Sequence, residues 1–274
     1  MIQDQAFAVA LSTDPGLIRT QNEDAVFVDA RLGLAILADG MGGYNAGEVA
    51  SGLAATRLAA DLGRLIASSS LQDHPAGHDA ATIERHILNE VGAANFAIFH
   101  AAQSTPGYAG MGTTLVLAWL YDNRMSVAHV GDSRLYRLRG DDFDLLTHDH
   151  SLIQELLDNG QISPEEARHA EGRNLVTRAL GVAPTVEVDI QEFDVQPGDV
   201  ILLCSDGLND MLDDEEIALA LRTLSGNLQL AADHLVDMAN DHGGRDNVSV
   251  ILIKVMADFA APRGWWRRLQ QLLK

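Results

Sequence analysis

Three observations in the sequence predict an α+β fold built in layers. Apolar runs of strand length come in consecutive groups and do not alternate one by one with helices. Segments with helical periodicity arrive in pairs between those groups. No linker, fixed-period repeat or low-complexity tract divides the chain.

Residues 6–12, 25–29 and 34–39 read as strands, the last two joined by a turn around Arg31-Leu32-Gly33. The Ala-rich stretch 46–66 carries Val49, Leu53, Leu58, Leu62 and Leu65 near helical spacing. Residues 68–79, rich in Ser, His, Pro and Gly, read as a loop. Ile83, Ile87, Val91, Ala94 and Ile98 then recur at helical steps and mark a second helix. Residues 112–121, 124–130 and 134–139 are β-like runs broken by turn residues, which suggests an antiparallel meander. Residues 151–159 and 164–169 read as short helices in a polar insertion. Strands follow over 186–195 and 200–204, with Pro197-Gly198-Asp199 turning between them. Residues 214–224 and 228–241 read as helices and 247–256 as a final strand.

Composition narrows the class. Of 274 residues, 47% are hydrophobic and 21% charged, enough to build a core that needs no disulfide or structural metal. The one cysteine, Cys204, follows the apolar run Val200-Ile201-Leu202-Leu203 and reads as a buried thiol, which fits a cytoplasmic protein. The start, Met1-Ile2-Gln3-Asp4-Gln5, does not read as a signal peptide, and the apolar runs are too short to span a bilayer. A net charge of −20 repels nucleic acid and is compatible with divalent cations.

The acidic residues have a recurrent placement. Asp39-Gly40-Met41-Gly42-Gly43 follows the apolar run 34–38, and Asp206-Gly207 follows 201–205. Asp132-Ser133 ends the run 127–131, Asp246-Asn247 leads into 248–255, and Asn22-Glu23-Asp24 precedes 25–29. A single Asp-Gly is as readily a helix-capping turn as a ligand. Strand ends gathered on one rim, however, would crowd these carboxylates until cations neutralised them. Hard oxygen ligands suit Mg²⁺ or Mn²⁺ better than zinc. Two such cations about 3.5–4 Å apart can bridge a water, lower its pKa and aim it at phosphorus. Arg19 is a cation close in sequence to this acidic set. It reads either as a bidentate phosphate ligand or as a surface partner of Glu23 or Asp24.

Taken together, the motifs are similar to those of the metal-dependent protein phosphatases of the PPM (type 2C) family in its compact bacterial form. The resemblance rests on Arg19-Thr20-Gln21-Asn22-Glu23-Asp24, Ala38-Asp39-Gly40-Met41-Gly42-Gly43, Gly112-Thr113-Thr114 and Val130-Gly131-Asp132-Ser133-Arg134. It continues through Leu146-Thr147-His148-Asp149-His150-Ser151, Val176-Thr177-Arg178-Ala179-Leu180-Gly181, Ser205-Asp206-Gly207-Leu208 and Gly244-Arg245-Asp246-Asn247-Val248-Ser249.

The resemblance implies two antiparallel sheets flanked by helix pairs, an α-β-β-α sandwich with the metals at one end. It implies hydrolysis of phosphoserine and phosphothreonine on proteins, opposing a serine/threonine kinase, with two Mn²⁺ or Mg²⁺ ions. Asp39 would bridge both metals, the Gly40 carbonyl would ligate one of them, and Asp206 and Asp246 would complete the ligands of the second metal. Glu23 and Asp24 would hold metal-bound waters. Asp132, with Asp206, would bind a weaker third cation. Arg19 would grip the substrate phosphate, and Asn247 would support the ligands. Residues 151–174 match a flap beside the site. Met41 stands where eukaryotic relatives carry a His proposed as the acid, so the acid here is a metal-bound water or, as alternatives, His148 or His150. A hydrolase of a small phosphate ester or a nucleotide and a phosphoprotein-binding protein without turnover are the competing readings.

The catalytic domain is expected over 1–258. The tail 259–274 is basic and carries Trp265 and Trp266. It reads as a terminal helix on the acidic body or as a docking element for a partner or membrane surface.

Overall fold

The computed structural model describes residues 6–43, 46–68, 79–167, 170, 172 and 175–260. Two antiparallel sheets stack face to face. The first contains β1 (Phe7–Asp14), β7 (Arg134–Arg139), β8 (Asp142–Leu145), β10 (Val200–Cys204) and β11 (Val248–Val255), in the order β1-β11-β10-β7-β8. The second contains β2 (Asp24–Asp29), β3 (Leu34–Met41), β5 (Leu115–Tyr121), β6 (Arg124–Val130) and β9 (Asp189–Asp194), in the order β2-β3-β5-β6-β9, with the short β4 (Gly112–Thr113) paired to β3.

Side-chain alternation divides each central strand between two cores. Leu34, Ile36 and Ala38 of β3 face a helix layer, whereas Ala35 and Leu37 face the other sheet. On β11, Val248, Val250 and Leu252 face helices and Ile251, Ile253 and Val255 face the other sheet. Burial on both faces is why these strands read as unbroken apolar runs.

Helix α1 (Ala46–Ala67) and helix α2 (Ala80–Ser104) cover the second sheet. Ala46, Ala50, Ala54, Leu58 and Leu62 recur every four residues on α1 and pack there. Leu53, expected on that face, is exposed; small alanines take the contact instead. Short helices α3 (Leu152–Asp158) and α4 (Pro164–Ala167) lie in the insertion, and α5 (Asp206–Asn209) directly follows β10. Helices α6 (Asp214–Leu224) and α7 (Leu228–Asp241) cover the first sheet through Ile217, Leu221, Ala231 and Leu235. Asp213 starts α6 with a reciprocal capping box to Glu216. The result is a four-layer α-β-β-α sandwich. No described helix is long and apolar enough to cross a membrane.

The expected meander over 112–139 is only half present. β5 and β6 pair, but the chain then crosses to the other sheet, where β7 pairs with β10. The crossing occurs at Gly131-Asp132-Ser133, where Gly131 adopts φ +103° and a Cβ would stand 2.7 Å from Thr114 Cγ2. Only glycine turns this corner without strain. Runs buried on both faces carry no polar side to reveal which sheet they join, so the change of sheet left no periodic signal. The strand expected over 186–195 begins at Asp189 and likewise lies in the other sheet from β10. β8 and α5, too short for a periodic signal, were not anticipated. Phe259, read from sequence as tail, packs edge-on against Phe7 with ring centroids 4.8 Å apart. The loop reading for 68–79 and the tail beyond 260 lie mostly outside the described residues.

Candidate active site

One end of the sandwich collects the acidic residues. Asp39 lies near the end of β3, in register opposite Asp24 on β2. Like charges directly opposite on an antiparallel pair destabilise a sheet, so this pairing needs compensation. The backbone here is held firmly. Asp39 N–H donates to Thr114 Oγ1 at 3.0 Å, and the Asp39 carbonyl accepts from Thr114 N–H at 2.9 Å and Thr113 Oγ1 at 2.8 Å. Gly40 passes so close to α1 that a Cβ would lie 2.2 Å from the Gly47 carbonyl oxygen.

The first sheet supplies the other carboxylates. Asp206 opens α5 just beyond β10, and Asp246 stands just before the adjacent β11. Asp132 sits at the corner where the chain changes sheets. Ser205 joins the two sheets at this point: its Oγ–H donates to Asp24 Oδ2 at 2.8 Å and its Oγ accepts from Ser249 N–H at 2.9 Å. Asn247 ties down the loop that carries Arg19. Its Oδ1 accepts from Glu23 N–H at 2.7 Å, and its Nδ2 donates to the Gln21 and Pro15 carbonyls at 2.8 and 3.0 Å.

Asp39, Asp206, Asp246, Asp132, Glu23, Gly40 and Arg19 all line one cleft, with Met41, Thr114 and Val176. Asp24 does not line it. Arg19 does not pair with Glu23 or Asp24 as the surface reading would have it; its Nη2 donates to Asp246 Oδ2 at 2.7 Å, leaving the guanidinium half exposed. A second cleft shares Asp132 and Asp206 and runs beneath α3 and α4, bounded by Asp149, Asp210 and Arg134.

The electrostatics of the cleft are unfavourable for bare carboxylates. Burial, then the neighbouring Asp24, Asp206, Asp132 and Asp246, hold the Asp39 carboxyl well above the usual range. Burial and the same crowding raise Asp206 strongly, with Asp132 and Asp210 its largest charged neighbours. Burial pushes Asp24 up to about 6, and burial and Asp149 push Asp132 up to about 6. Glu23 is raised by burial as well. Asp24 Oδ1 and Asp206 Oδ1 are buried without a hydrogen-bond partner. Crowded, orphaned, all-oxygen donors of this kind fit hard divalent cations.

His129, His150 and Asp189 form another cluster, with potential ligand atoms within 4.8 Å of one another. Its hydrogen bonds favour a structural clip. Gly131 N–H donates to His150 Nδ1 at 3.1 Å, which leaves the proton of the neutral ring on Nε2, 3.3 Å from Asp189 Oδ2. Arg178 Nη1 already donates to Asp189 Oδ1 at 3.0 Å. His150 N–H also donates to the Gly131 carbonyl at 2.9 Å, and Thr177 N–H donates to the His150 carbonyl at 2.8 Å. His150 thus fastens the corner that carries Asp132 to the base of the insertion. His148 is exposed and bonds Asp158 Oδ2 at 2.7 Å. Neither histidine lines the cleft, so both fall away as candidate acids.

Sequence reasoning assigned no role to Thr114, Ser205 or Ser133, whose Oγ lies 2.7 Å from Thr114 Oγ1. Thr114 and Ser205 fall inside recognised motifs, but their partners are 75 and 181 residues away, a distance no local pattern reports.

Two outcomes follow from this geometry. As pH falls through about 6, Asp24 and Asp132 take up protons. Mn²⁺ bound nearby favours their ionised forms, so its affinity falls by up to ~10-fold per pH unit for each proton released on binding. Calorimetric Mn²⁺ titrations above and below this pH check it; an unchanged affinity contradicts a carboxylate site. His150→Ala costs about 1–3 kcal/mol of stability by orphaning the Gly131 N–H, and His150→Asn, which offers an acceptor in its place, recovers part of that loss. Denaturant unfolding compares the two, and equal losses would remove this hydrogen bond from the explanation.

The comparisons with known proteins agree with the geometry. A family model described as Protein phosphatase 2C matches residues 19–239. The chain is 41% identical to a serine/threonine phosphatase, Stp, of Listeria innocua, over 88% of this chain and 93% of that one. It is 39% identical to the serine/threonine protein phosphatase PstP of Mycobacterium tuberculosis, over 90% of this chain and 45% of that longer protein. The solved catalytic domain of PstP in complex with two manganese ions superposes with a TM-score of 0.78 at 37% identity, covering 92% of this chain and 99% of that one. Stp1 from Staphylococcus aureus superposes with a TM-score of 0.80 at 34% identity, covering 91% and 95%. A model match over most of the sequence, relatives at this level of identity and a shared fold lead to one conclusion: the chain belongs to the protein phosphatase 2C family.

Proposed function

We propose that the chain hydrolyses phosphoserine and phosphothreonine on proteins with the help of divalent cations, Mn²⁺ or Mg²⁺. The carrying observation is the convergence of Asp39, Asp206 and Asp246 from both sheets on one cleft, where burial and repulsion raise the Asp39 and Asp206 carboxyls and, among the described residues, Arg19 alone forms an ion pair with Asp246.

Asp39, the Gly40 carbonyl, Asp206 and Asp246 are the residues that would hold two cations, with Glu23 and Asp24 binding their waters and Asn247 keeping the Glu23 backbone in place. Asp132 and Asp206 would hold a weaker third cation. When bound, the cations supply Lewis acidity that activates water and offsets charge on the phosphoryl oxygens. The protein's own groups do the rest. Ser205 fixes the orientation of Asp24. Thr113 and Thr114 hold the Asp39 backbone so that its carboxylate reaches the cleft in one position. Arg19 turns its half-exposed guanidinium from Asp246 to the incoming phosphate and holds it bidentately. Among the described residues no imidazole lines the cleft, so the leaving alkoxide takes its proton from water.

The same reading sets the chain as one catalytic domain with a flap over 151–174, followed by a basic tail that docks on a partner or on the body. It works in the cytoplasm, which the single buried thiol of Cys204 supports, and opposes a serine/threonine kinase.

Phosphate release from a phosphothreonine peptide with Mn²⁺, abolished by EDTA and restored by excess Mn²⁺, is the expected result. No metal-dependent release from several peptides would overturn the proposal. Asp39→Asn lowers turnover by ~10³-fold or more, the scale of losing a principal electrostatic group. The same change stabilises the metal-free protein against denaturant at neutral pH, because burial and like-charged neighbours raise this carboxyl and penalise its ionised form in the folded state. That penalty is present in full above the raised folded pKa and vanishes as pH falls to the ordinary aspartate range. Near-normal turnover in Asp39→Asn would show that the site lies elsewhere.

A further inference from the structure

We infer that the rim of the cleft is an apolar docking surface for the substrate polypeptide, selecting phosphorylated segments with an apolar residue next to the phosphorylated side chain. The inference rests on the proposed function and adds a substrate class to it.

Ile18, Leu17 and Val182 are among the four most exposed large apolar side chains described, at 69%, 67% and 62%. All three stand beside residues that line the cleft. Leu17 and Ile18 immediately precede Arg19, which lines it. Val182 packs beside Gly112, its Cγ2 3.1 Å from where a Cβ on that glycine would stand, and Met41 Cγ lies 3.6 Å from the same point. Met41 lines the cleft. Leu175, also exposed, immediately precedes Val176 in the cleft wall. Two separate parts of the chain thus bring exposed apolar groups to one mouth.

Hydrogen bonds fix the backbone of the segments that carry these side chains. Leu17 and Ile18 N–H both donate to the Gly244 carbonyl, at 2.7 and 3.3 Å, and Gly16 N–H donates to Asp14 Oδ1 at 2.8 Å. On the other segment, Leu175 N–H donates to the Gly172 carbonyl at 3.1 Å and its carbonyl accepts from Leu152 N–H at 2.9 Å. Fixing an apolar group in water gains nothing for folding, because the hydrophobic effect rewards only its removal from water. A rigid apolar surface does lower the ordering cost of binding.

Geometry names the occupant. A phosphate attached to a polypeptide reaches the cleft floor only when the residues on either side of it lie across the rim. Those residues meet Leu17, Ile18, Leu175 and Val182 before they meet the acidic floor. Polar neighbours would leave these groups wet, whereas Leu, Ile, Val or Phe beside the phosphorylated residue would bury them.

The test is a set of phosphothreonine peptides identical except for the flanking residues, Leu or Ile in one and Ser in the other, assayed with Mn²⁺. The apolar-flanked peptide is expected to show roughly tenfold higher kcat/KM, carried mainly by KM. Leu17→Ser/Ile18→Ser, and separately Val182→Ser, are expected to bring that ratio toward one. A ratio near one in the wild type, or an unchanged ratio in both variants, overturns the inference. Hydrolysis of p-nitrophenyl phosphate by the wild type, run alongside, separates two failures. Loss of all phosphatase activity defeats the proposed function, whereas activity without apolar preference defeats only this inference. Sedimentation velocity addresses the other occupant: a wild-type dimer that Leu17→Ser/Ile18→Ser dissociates assigns the rim to self-association and overturns substrate docking.

Discussion

Repulsion among partly buried carboxylates is the constraint around which this molecule is organised. Asp24 faces Asp39 across a strand pair, and Asp206, Asp132 and Asp246 crowd the same cleft. Isolated, such an arrangement weakens a fold, since each charge loses solvation and gains like-charged neighbours. Two carboxylate oxygens, on Asp24 and Asp206, are also left buried without partners. The cost makes sense as the counterpart of cation binding: a site built to be satisfied by bound ions is strained without them.

The rest of the architecture supplies the rigidity that keeps the carboxylates in place. The inter-sheet core, with Leu37, Leu203, Ile251 and Ile253, locks the two sheets so that strand ends from both meet at one rim. Ser205 and Asn247 then join the sheets at that rim through polar contacts, and His150 fastens the corner carrying Asp132 to the insertion. Packing fixes where the strands end, and hydrogen bonds fix how their last residues are turned. Preorganisation of this sort is what allows charge to be stabilised without reorganising the site during reaction.

Much of the site was legible because its signal is local. An apolar run ending in Asp-Gly marks Asp39 and Asp206 wherever the sheets place them. Long-range facts were not legible. Nothing in Asn22-Glu23-Asp24 distinguishes its acids, yet Glu23 lines the cleft whereas Asp24, bonded to Ser205 across the sheets, does not. His148 and His150 look alike in sequence, but one is exposed and paired with Asp158 whereas the other is buried against Gly131. The sheet partition was hidden for the reason that stabilises it: strands buried on both faces have no polar side to read. Arg19 was legible as a cation near the site, but its partner, Asp246, lies 227 residues away.

The most direct measurement is a crystal structure of Mn²⁺-loaded protein with anomalous data collected at the manganese edge. Peaks bonded to Asp39 and shared with Asp206 and Asp246 are the expected result. Manganese bound away from these side chains, or none bound at saturating concentration, would contradict a site created by their convergence.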